Sequence, residues 1–197
     1  NVMKKSKSNI IKRWNIESKK YFLVVGRLVP DNNADLIIDG FIKSNSKKKL
    51  VIVGDNPFKE TFSNEIKKNT NSRLVFTGYI EDPKILSELY RNCYVYLHGH
   101  EFGGTNPTMI KAMNYGCAIL ALKTIFNLEM LGQGKYGLFF EKTDEDICRM
   151  ISYLDRENDL VIKLRNKSKK GIIEKYDWDY ITEQYIEVFN DLSNRKN

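Results

Sequence analysis

Groups able to bind an anion are concentrated in one short stretch of this sequence. Both histidines of the chain, His98 and His100, lie in it. Just beyond them come glycines and small polar residues: Gly103, Gly104, Thr105 and Asn106. Adjacent glycines let a backbone approach a ligand closely, and threonine and asparagine add hydroxyl and amide donors. This composition predicts a phosphate-binding loop. The alternative is a tight turn whose glycines serve geometry only.

The residues around this stretch predict a strand before it and a helix after it. Tyr94–Leu97 is an apolar β-rich run, and Asn106-Pro107 has the form of a helix cap followed by proline in the first turn. A helix that begins there directs free N–H groups and the positive end of its dipole at the loop, which favours an anion. The spacing matches neither a P-loop nor the dinucleotide fingerprint.

The rest of the chain alternates in the same way between strands and helices. Five further runs read as strands: Tyr21–Val25, Leu50–Val53, Leu74–Phe76, Ala118–Leu120 and Gly137–Phe140. Helical spacing of apolar residues covers 36–42, the segment after Asp82-Pro83, and 143–154, 158–173 and 177–192. This order predicts an α/β, Rossmann-like three-layer domain with a parallel sheet of about six strands. Residues 1–18 are interpreted as a lead-in from an upstream domain, and 19–197 as one domain.

In such sheets ligands bind at the carboxyl ends of the strands, near the point where strand order reverses. The segments expected there are Gly26-Arg27, Gly54-Asp55, 78–82 and 98–106. A helical stripe of Trp178, Ile181, Tyr185 and Val188 predicts core packing or docking on another domain.

Composition narrows the classes of partner. The net charge of +7 fits nucleic acid, an anionic membrane surface or phosphorylated small molecules. Nucleic acid is the least favoured, because no basic stripe interleaved with aromatic residues is present. No apolar run is long enough for a membrane span. Three widely spaced cysteines indicate reduced, buried thiols in a cytoplasmic protein, with the inner face of the membrane as an alternative location.

Metal binding is the least favoured role for the two histidines, after hydrogen bonding near a sugar or phosphate and after packing. No partner cluster of metal ligands accompanies them. Asp144-Glu145-Asp146 and Asp177-Trp178-Asp179 imitate a metal-binding Asp-x-Asp pattern. Both are interpreted as acidic helix starts.

The segment HGHEFGGTNPTMIKAMNYGCAIL, which starts at His98, resembles the donor-binding motif of glycosyltransferase family 4 (group 1). Its nearest resemblance is to bacterial rhamnosyltransferases and capsule or exopolysaccharide transferases. Four other segments resemble family landmarks in the right order: VGRLVPDNN, VIVGD, FTGYIEDP and YDWDYITEQY. The resemblance spans about Lys20 to Asn190. It implies the C-terminal, donor-binding half of a two-domain GT-B fold.

The resemblance also implies roles for individual residues. The backbone at Gly103, Gly104 and Thr105 would hold a diphosphate, Arg27 would neutralise it, and Tyr79-Ile80 would contact the nucleobase. Glu101 is the candidate catalytic carboxylate. The remaining expected donor-binding residues are Asn32, His98, His100, Asn106, Lys111 and Glu129.

Three positions depart from the family pattern. The family pattern has two glutamates separated by seven residues. In this sequence those positions are Gly103 and Lys111, so Glu101 lies two residues before the first of them. Lys111 cannot accept a hydrogen bond from ribose, whereas its ammonium can approach a phosphate. Asn32 occupies a place where the family often has Lys.

The resemblance implies a retaining hexosyltransferase that takes a nucleotide-diphosphate sugar, with no cofactor and no metal. The acceptor would be a saccharide or lipid-linked molecule bound by an N-terminal domain. The resemblance also allows for peripheral association with a membrane. This chain alone is expected to bind nucleoside diphosphate weakly and to transfer nothing. Alternatives are a non-catalytic binding or scaffold domain, or a related enzyme such as a nucleotide-sugar epimerase or a phosphorylase.

Overall fold

A computed structural model describes residues 13–56 and 60–194. The strands are β1 (Tyr21–Val25), β2 (Lys49–Val53), β3 (Leu74–Gly78), β4 (Val95–His98), β5 (Ala118–Leu122) and β6 (Leu138–Phe140). The helices are α1 (Ala34–Lys43), α2 (Glu60–Lys67), α3 (Pro83–Asn92), α4 (Pro107–Asn114), α5 (Ile125–Met130), α6 (Asp144–Arg156), α7 (Asn158–Lys175) and α8 (Trp178–Asn194). Residues 1–12 of the predicted lead-in lie outside the described ranges.

The six strands form one parallel sheet in the order β3-β2-β1-β4-β5-β6. In register, Leu23 of β1 is paired with Val51 on one side and with Tyr96 on the other. Strand order therefore reverses between β1 and β4, and the crevice beyond their carboxyl ends is the preferred ligand position of such folds. The predicted α/β, three-layer Rossmann-like architecture is confirmed.

Both faces of the sheet are covered. Along β1, Phe22 and Val24 join a core that includes α1 and α6, whereas Leu23 and Val25 join a second core that includes α3 and α4. Alternation along a strand sends successive side chains to opposite faces, so this one buried strand supplies both cores. Gly40 permits α1 to approach α6, since a Cβ there would lie 2.6 Å from Ile147.

Helix starts agree with the sequence. Asp82 accepts a hydrogen bond from the Lys84 N–H at 2.8 Å, and Asn106 accepts one from the Thr108 N–H at 3.0 Å. In each case proline occupies the first helical turn. The acidic run 144–146 forms the first turn of α6 behind a Thr143 cap, so its interpretation as a helix start is confirmed. The sequence provided no bounds for α2 or α5.

Two expectations need correction. The aromatic stripe of α8 does not pack in this core: Trp178 and Tyr185 are 80% and 62% exposed, and α8 has no buried residue. Docking of this stripe on another domain stays a prediction. Cys93 and Cys117 are buried as expected, but Cys148 is only partly buried.

The boundary between lead-in and domain at residue 18 stays a prediction. Ile16 is 3% exposed within the second core, and Trp14 packs against that core. In the described part of the chain, no helix combines the length and apolarity needed to cross a membrane.

Candidate functional site

A cleft of about 190 Å³ opens at the carboxyl edge of the sheet. Its walls come from the turns after β1, β2 and β3 and from the first turn of α4. The polar and glycine positions that line it are Gly26, Arg27, Gly54, Asp55, Tyr79 and Thr108, with Ile80 at 9% exposure. The structure thus brings together Arg27, Tyr79 and Ile80, three of the residues expected to bind the donor.

The floor of the cleft is backbone. The Gly26 N–H donates to the Val53 carbonyl at 3.0 Å, and the Gly54 N–H donates to the Gly78 carbonyl at 3.0 Å. Gly54 has φ of +132°, and a Cβ there would lie 1.8 Å from the Gly26 oxygen. No residue but glycine fits this contact. The close approach brings the turns after β1 and β2 together at the base of the cleft.

Arg27 is the cationic group at the cleft. Its side chain is exposed, and none of the described carboxylates forms an ion pair with it. Asn32 donates from Nδ2 to the Arg27 carbonyl at 2.7 Å. Asn32 therefore fixes the loop that carries Arg27. An unpaired guanidinium beside glycine backbone suits a phosphate or carboxylate ligand.

The first half of the loop after β4 is held by hydrogen bonds. Asn33 Nδ2 donates to the Gly99 carbonyl at 2.9 Å, and the Glu101 N–H donates to the Asp31 carbonyl at 3.0 Å. Asn127 of α5, 3% exposed, donates from Nδ2 to the carbonyls of His100 at 3.1 Å and Leu122 at 2.9 Å. The loop is thereby tied to the turn before α1 on one side and, through Asn127, to the end of β5 on the other.

The second half of the loop is open. A Cβ added to either Gly103 or Gly104 would meet nothing within 4 Å, and Gly103 has φ of +105°. Thr105 is exposed. The predicted anion loop thus presents accessible backbone, and it leads directly into the N-terminus of α4.

The start of α4 is fixed by a buried chain of hydroxyls. Tyr96 Oη donates to Thr108 Oγ1 at 3.0 Å, and that hydroxyl donates to Asn106 Oδ1 at 2.7 Å. The Asn106 N–H contacts Met130 Sδ at 3.3 Å. These bonds anchor the cap residue, so the positive end of the helix dipole keeps a fixed direction.

The two histidine rings stack at 4.4 Å between centroids, with 9° between their planes. His98 is 1% exposed, with Nδ1 at 3.2 Å from Tyr96 Oη and Nε2 without a partner. Since the Tyr96 proton is used on Thr108, the consistent tautomer carries its proton on Nδ1. The His100 ring lies over Gly26, where a Cβ would come within 2.9 Å of it.

Both imidazoles are neutral at pH 7. Burial and the neighbouring His100 hold the pKa of His98 well below its usual range. Burial, with a smaller contribution from the positive charge of Arg27, lowers the pKa of His100 to about 4. As neutral groups they offer hydrogen bonds rather than charge, so Arg27 is the cation of this part of the site.

Residues 6–191 match the family model described as glycosyl transferases group 1. The chain belongs to this family. A poly(ribitol-phosphate) alpha-N-acetylglucosaminyltransferase of Staphylococcus aureus (strain COL) is 24% identical over 193 residues, covering 93% of this chain and 38% of the relative. The chain spans less than half the length of the curated relatives it matches.

Two solved structures show the same fold. The C-terminal domain of a Francisella tularensis group 1 glycosyl transferase superposes with a TM-score of 0.72 at 20% identity, covering 87% of this chain and 93% of that domain. An Anabaena protein solved in complex with UDP superposes with a TM-score of 0.80 at 16% identity, covering 95% of this chain and 53% of that protein. These likenesses agree with the expected GT-B architecture.

The two glutamates expected at the donor, Glu101 and Glu129, lie outside the cleft. Glu101 forms an ion pair with Lys142 at 2.5 Å, and this hydrogen bond lowers the pKa of Glu101, which is therefore ionised. Glu129 is exposed on α5. Burial of Tyr176 raises the pKa of that tyrosine, and the negative charge of Glu129 raises it further. Neither glutamate lines the cleft.

Lys111 is exposed on α4, one turn beyond the cap. It forms no ion pair with any of the described residues. It does not line the cleft between β1 and α4, so its role at the donor stays a prediction.

Several residues that shape the site escaped sequence reasoning. Asn127 lies in a short helix with no periodic pattern, and its bonds span 27 positions to His100. In the sequence, Tyr96 belongs to an apolar strand and Thr108 to the start of a helix. Only the fold brings their hydroxyl groups together. For the floor of the cleft the sequence did give a signal: Gly54 follows a strand directly, and glycine at such a position indicates close approach of another backbone.

Proposed function

We propose that this chain is the donor-binding domain of a retaining family 4 glycosyltransferase that uses a nucleotide-diphosphate sugar. The observation that carries this proposal is the cleft at the strand-order reversal, with a backbone floor, an unpaired Arg27 and a capped helix start. Membership of the group 1 family supports it. So does the UDP-bound state of the Anabaena protein of similar fold.

In this proposal the diphosphate lies between Arg27 and the loop 103–105. Backbone N–H groups and the α4 dipole stabilise the charge that develops on the leaving diphosphate, and no general acid from this domain is needed. Tyr79, 78% exposed at the rim of the cleft, packs against the nucleobase together with Ile80. Charge neutralisation comes from these groups, so transfer proceeds without a metal ion or other cofactor.

Glu101 is the carboxylate assigned to the donor sugar. Its ion pair with Lys142 holds it ionised beside the loop, ready to accept hydrogen bonds from sugar hydroxyls. His100 and His98 supply neutral hydrogen-bonding groups under the same loop.

The acceptor is proposed to be a polysaccharide or a lipid-linked saccharide, bound by a separate N-terminal domain across the cleft. The Staphylococcus aureus relative, named for a poly(ribitol-phosphate) acceptor, supports a polymer. The sequence resemblance to capsule and exopolysaccharide transferases supports the same class. The enzyme would act in the cytoplasm or at the inner face of the membrane.

Titration calorimetry with UDP, GDP, ADP and dTDP tests donor binding. Arg27→Ala removes a charge-assisted contact, for which about 1.5–3 kcal/mol or roughly 10- to 150-fold in Kd is expected. Arg156→Ala is the matched control, because Arg156 is exposed at the end of α6, outside the cleft. Equal affinity of both variants for every nucleotide would contradict the assignment of the cleft.

Lys111 favours a second candidate, a domain that binds the donor without catalysis. An ammonium on α4 lacks the acceptor oxygens through which the family holds ribose. Product analysis on a longer protein containing this domain distinguishes the two candidates. A new glycosidic bond supports the transferase, an isomerised free sugar nucleotide identifies an epimerase, and binding without any product identifies the non-catalytic domain.

A further inference from the structure

A basic groove crosses the opposite edge of the sheet, where the strands begin. Two adjoining cavities of about 400 and 480 Å³ share Lys19, Tyr94 and Asn158 in their walls. One continues to Arg165 of α7, and the other continues to Lys20, Lys47 and Lys48. We call this continuous surface the amino-edge groove.

Two cations converge at the centre of the groove. Arg165 donates to the carbonyl of Cys93 at 3.0 Å and to that of Arg91 at 3.2 Å. The Lys19 ammonium donates to the same two carbonyls, with 3.3 Å to Cys93. The guanidinium and the ammonium are therefore neighbours, held at the carbonyl end of α3.

No carboxylate compensates this pair. Among the residues that the structure describes, neither Lys19 nor Arg165 forms an ion pair. Burial and the positive charge of the neighbouring Arg165 lower the pKa of Lys19, as like charges at short distance do. A bound anion would relieve this repulsion and favour the charged ammonium.

The backbone at Lys19 also carries strain. Its φ is +62°, a left-handed conformation that is strained for a residue with a Cβ. The Lys19 N–H donates to the Asn92 carbonyl at 2.7 Å, so this turn is tied to the end of α3. The turn aims the lysine side chain into the groove.

The other lysines of the groove differ in whether a carboxylate pairs with them. Lys20 pairs with Glu17 at 3.2 Å, and Lys48 pairs with Asp155 at 2.7 Å. Lys47 has no ion-pair partner among the described residues. An apolar wall of Val161 and Ile162, the latter 57% exposed, lies beside the cations.

We propose that the amino-edge groove is a second anion site, which binds a phosphate or diphosphate group through Lys19, Arg165 and Lys47. The apolar wall would accept a hydrocarbon part attached to that group. The site is separate from the nucleotide cleft, because β1 runs five residues between them, or roughly 16 Å at the usual rise per residue. The phosphate is either that of a free ligand or that of an anionic lipid headgroup.

The test uses the full chain with Arg27→Ala as background, so that phosphate binding in the cleft is weakened. Calorimetry with inorganic pyrophosphate is compared for Lys19→Gln, Lys47→Gln and Lys163→Gln. Lys163→Gln is the matched control: it removes the same charge, but Lys163 lies on α7 and does not line the groove. We expect about tenfold or greater weakening for Lys19→Gln, several-fold for Lys47→Gln and no change for Lys163→Gln.

Lys47 is exposed, so its variant keeps the fold even where Lys19→Gln perturbs the turn. Co-sedimentation with phosphatidylcholine vesicles, with and without phosphatidylglycerol, identifies the source of the phosphate. Binding to the anionic vesicles that is lost in Lys47→Gln assigns a lipid headgroup, and pyrophosphate binding without vesicle binding assigns a free ligand. Absence of both, or equal loss in Lys163→Gln, overturns the proposal.

Discussion

Replacing Gly54 with alanine tests whether the cleft depends on backbone contact. A Cβ at this position would lie 1.8 Å from the oxygen of Gly26, far inside any permitted separation. The atom it meets belongs to the main chain, which cannot turn away as a flexible side chain would. The strands must separate or the turn after β2 must change its conformation.

Two contributions determine the cost. Alanine at φ of +132° carries backbone strain of about 1–3 kcal/mol, and forcing an extra carbon into a packed contact adds about 1–3 kcal/mol. The combined destabilisation is about 2–6 kcal/mol. For a domain of this length each kcal/mol lowers the melting temperature by about 2–4 °C. A middle value near 4 kcal/mol therefore predicts a fall of about 8–16 °C.

Thermal denaturation followed by circular dichroism measures this fall, and calorimetry on the folded fraction measures nucleotide binding. For the melting temperature alone, Gly104→Ala is the matched control, since a Cβ there meets no heavy atom within 4 Å and its φ is not in the left-handed region. We expect Gly104→Ala to melt within about 2 °C of the original chain. A Gly54→Ala chain that melts with the control and binds nucleotide normally would refute the assigned floor of the cleft.

Two further predictions concern the loop after β4. Asn127→Ala removes the side-chain donor of the His100 carbonyl and one of two donors to the Leu122 carbonyl, which also accepts from the Thr124 N–H. The loss should cost about 1–3 kcal/mol and weaken nucleotide binding; unchanged melting and affinity would contradict the assigned role. The folded state depresses the pKa values of both histidines, that of His100 to about 4, so the unfolded chain binds more protons below pH 6.5. The histidines should therefore contribute their full stabilisation above about pH 6.5. Below that pH the free energy of unfolding should fall toward pH 4 by up to about 1.4 kcal/mol per pH unit for each histidine. Melting temperatures measured at several pH values test this, and the pH dependence should be smaller in His100→Gln.

The fold could be predicted because local signals agree with the final architecture. β1 and β2 are continuous apolar runs that end at glycine, and Asp82-Pro83 and Asn106-Pro107 mark the starts of α3 and α4. A strand buried on both faces is required by a parallel sheet, so composition and topology carry the same information. Only α2 and α5, which are short, lacked an adequate pattern.

The candidate site could be predicted only in part. Gly103 and Gly104 are recognisable because glycine pairs before a helix start carry a physical meaning. Nothing local indicates that Asn127 reaches the His100 carbonyl, because that bond depends on how α5 packs beside β4 and β5. For a related reason the sequence left open whether the α8 stripe packs in this core or docks on another domain, and the exposure of α8 excludes only the first. An amphipathic pattern shows that a face is apolar, but not which surface will cover it.

The distribution of roles between backbone and side chains accounts for the departures from the family pattern. The floor of the cleft is made by Gly26 and Gly54, and the start of α4 is fixed by Asn106, so the framework around the proposed phosphate position is mostly main chain. Such a site tolerates exchange of side chains, provided that its glycines and cap remain. The sequence resemblance implies that ribose and sugar are held by two glutamates, and at those positions this chain has Gly103 and Lys111. The phosphate part of the proposed site therefore rests on physical constraints of the fold, whereas the proposed recognition of the donor rests on Glu101, Lys111 and the residues around them.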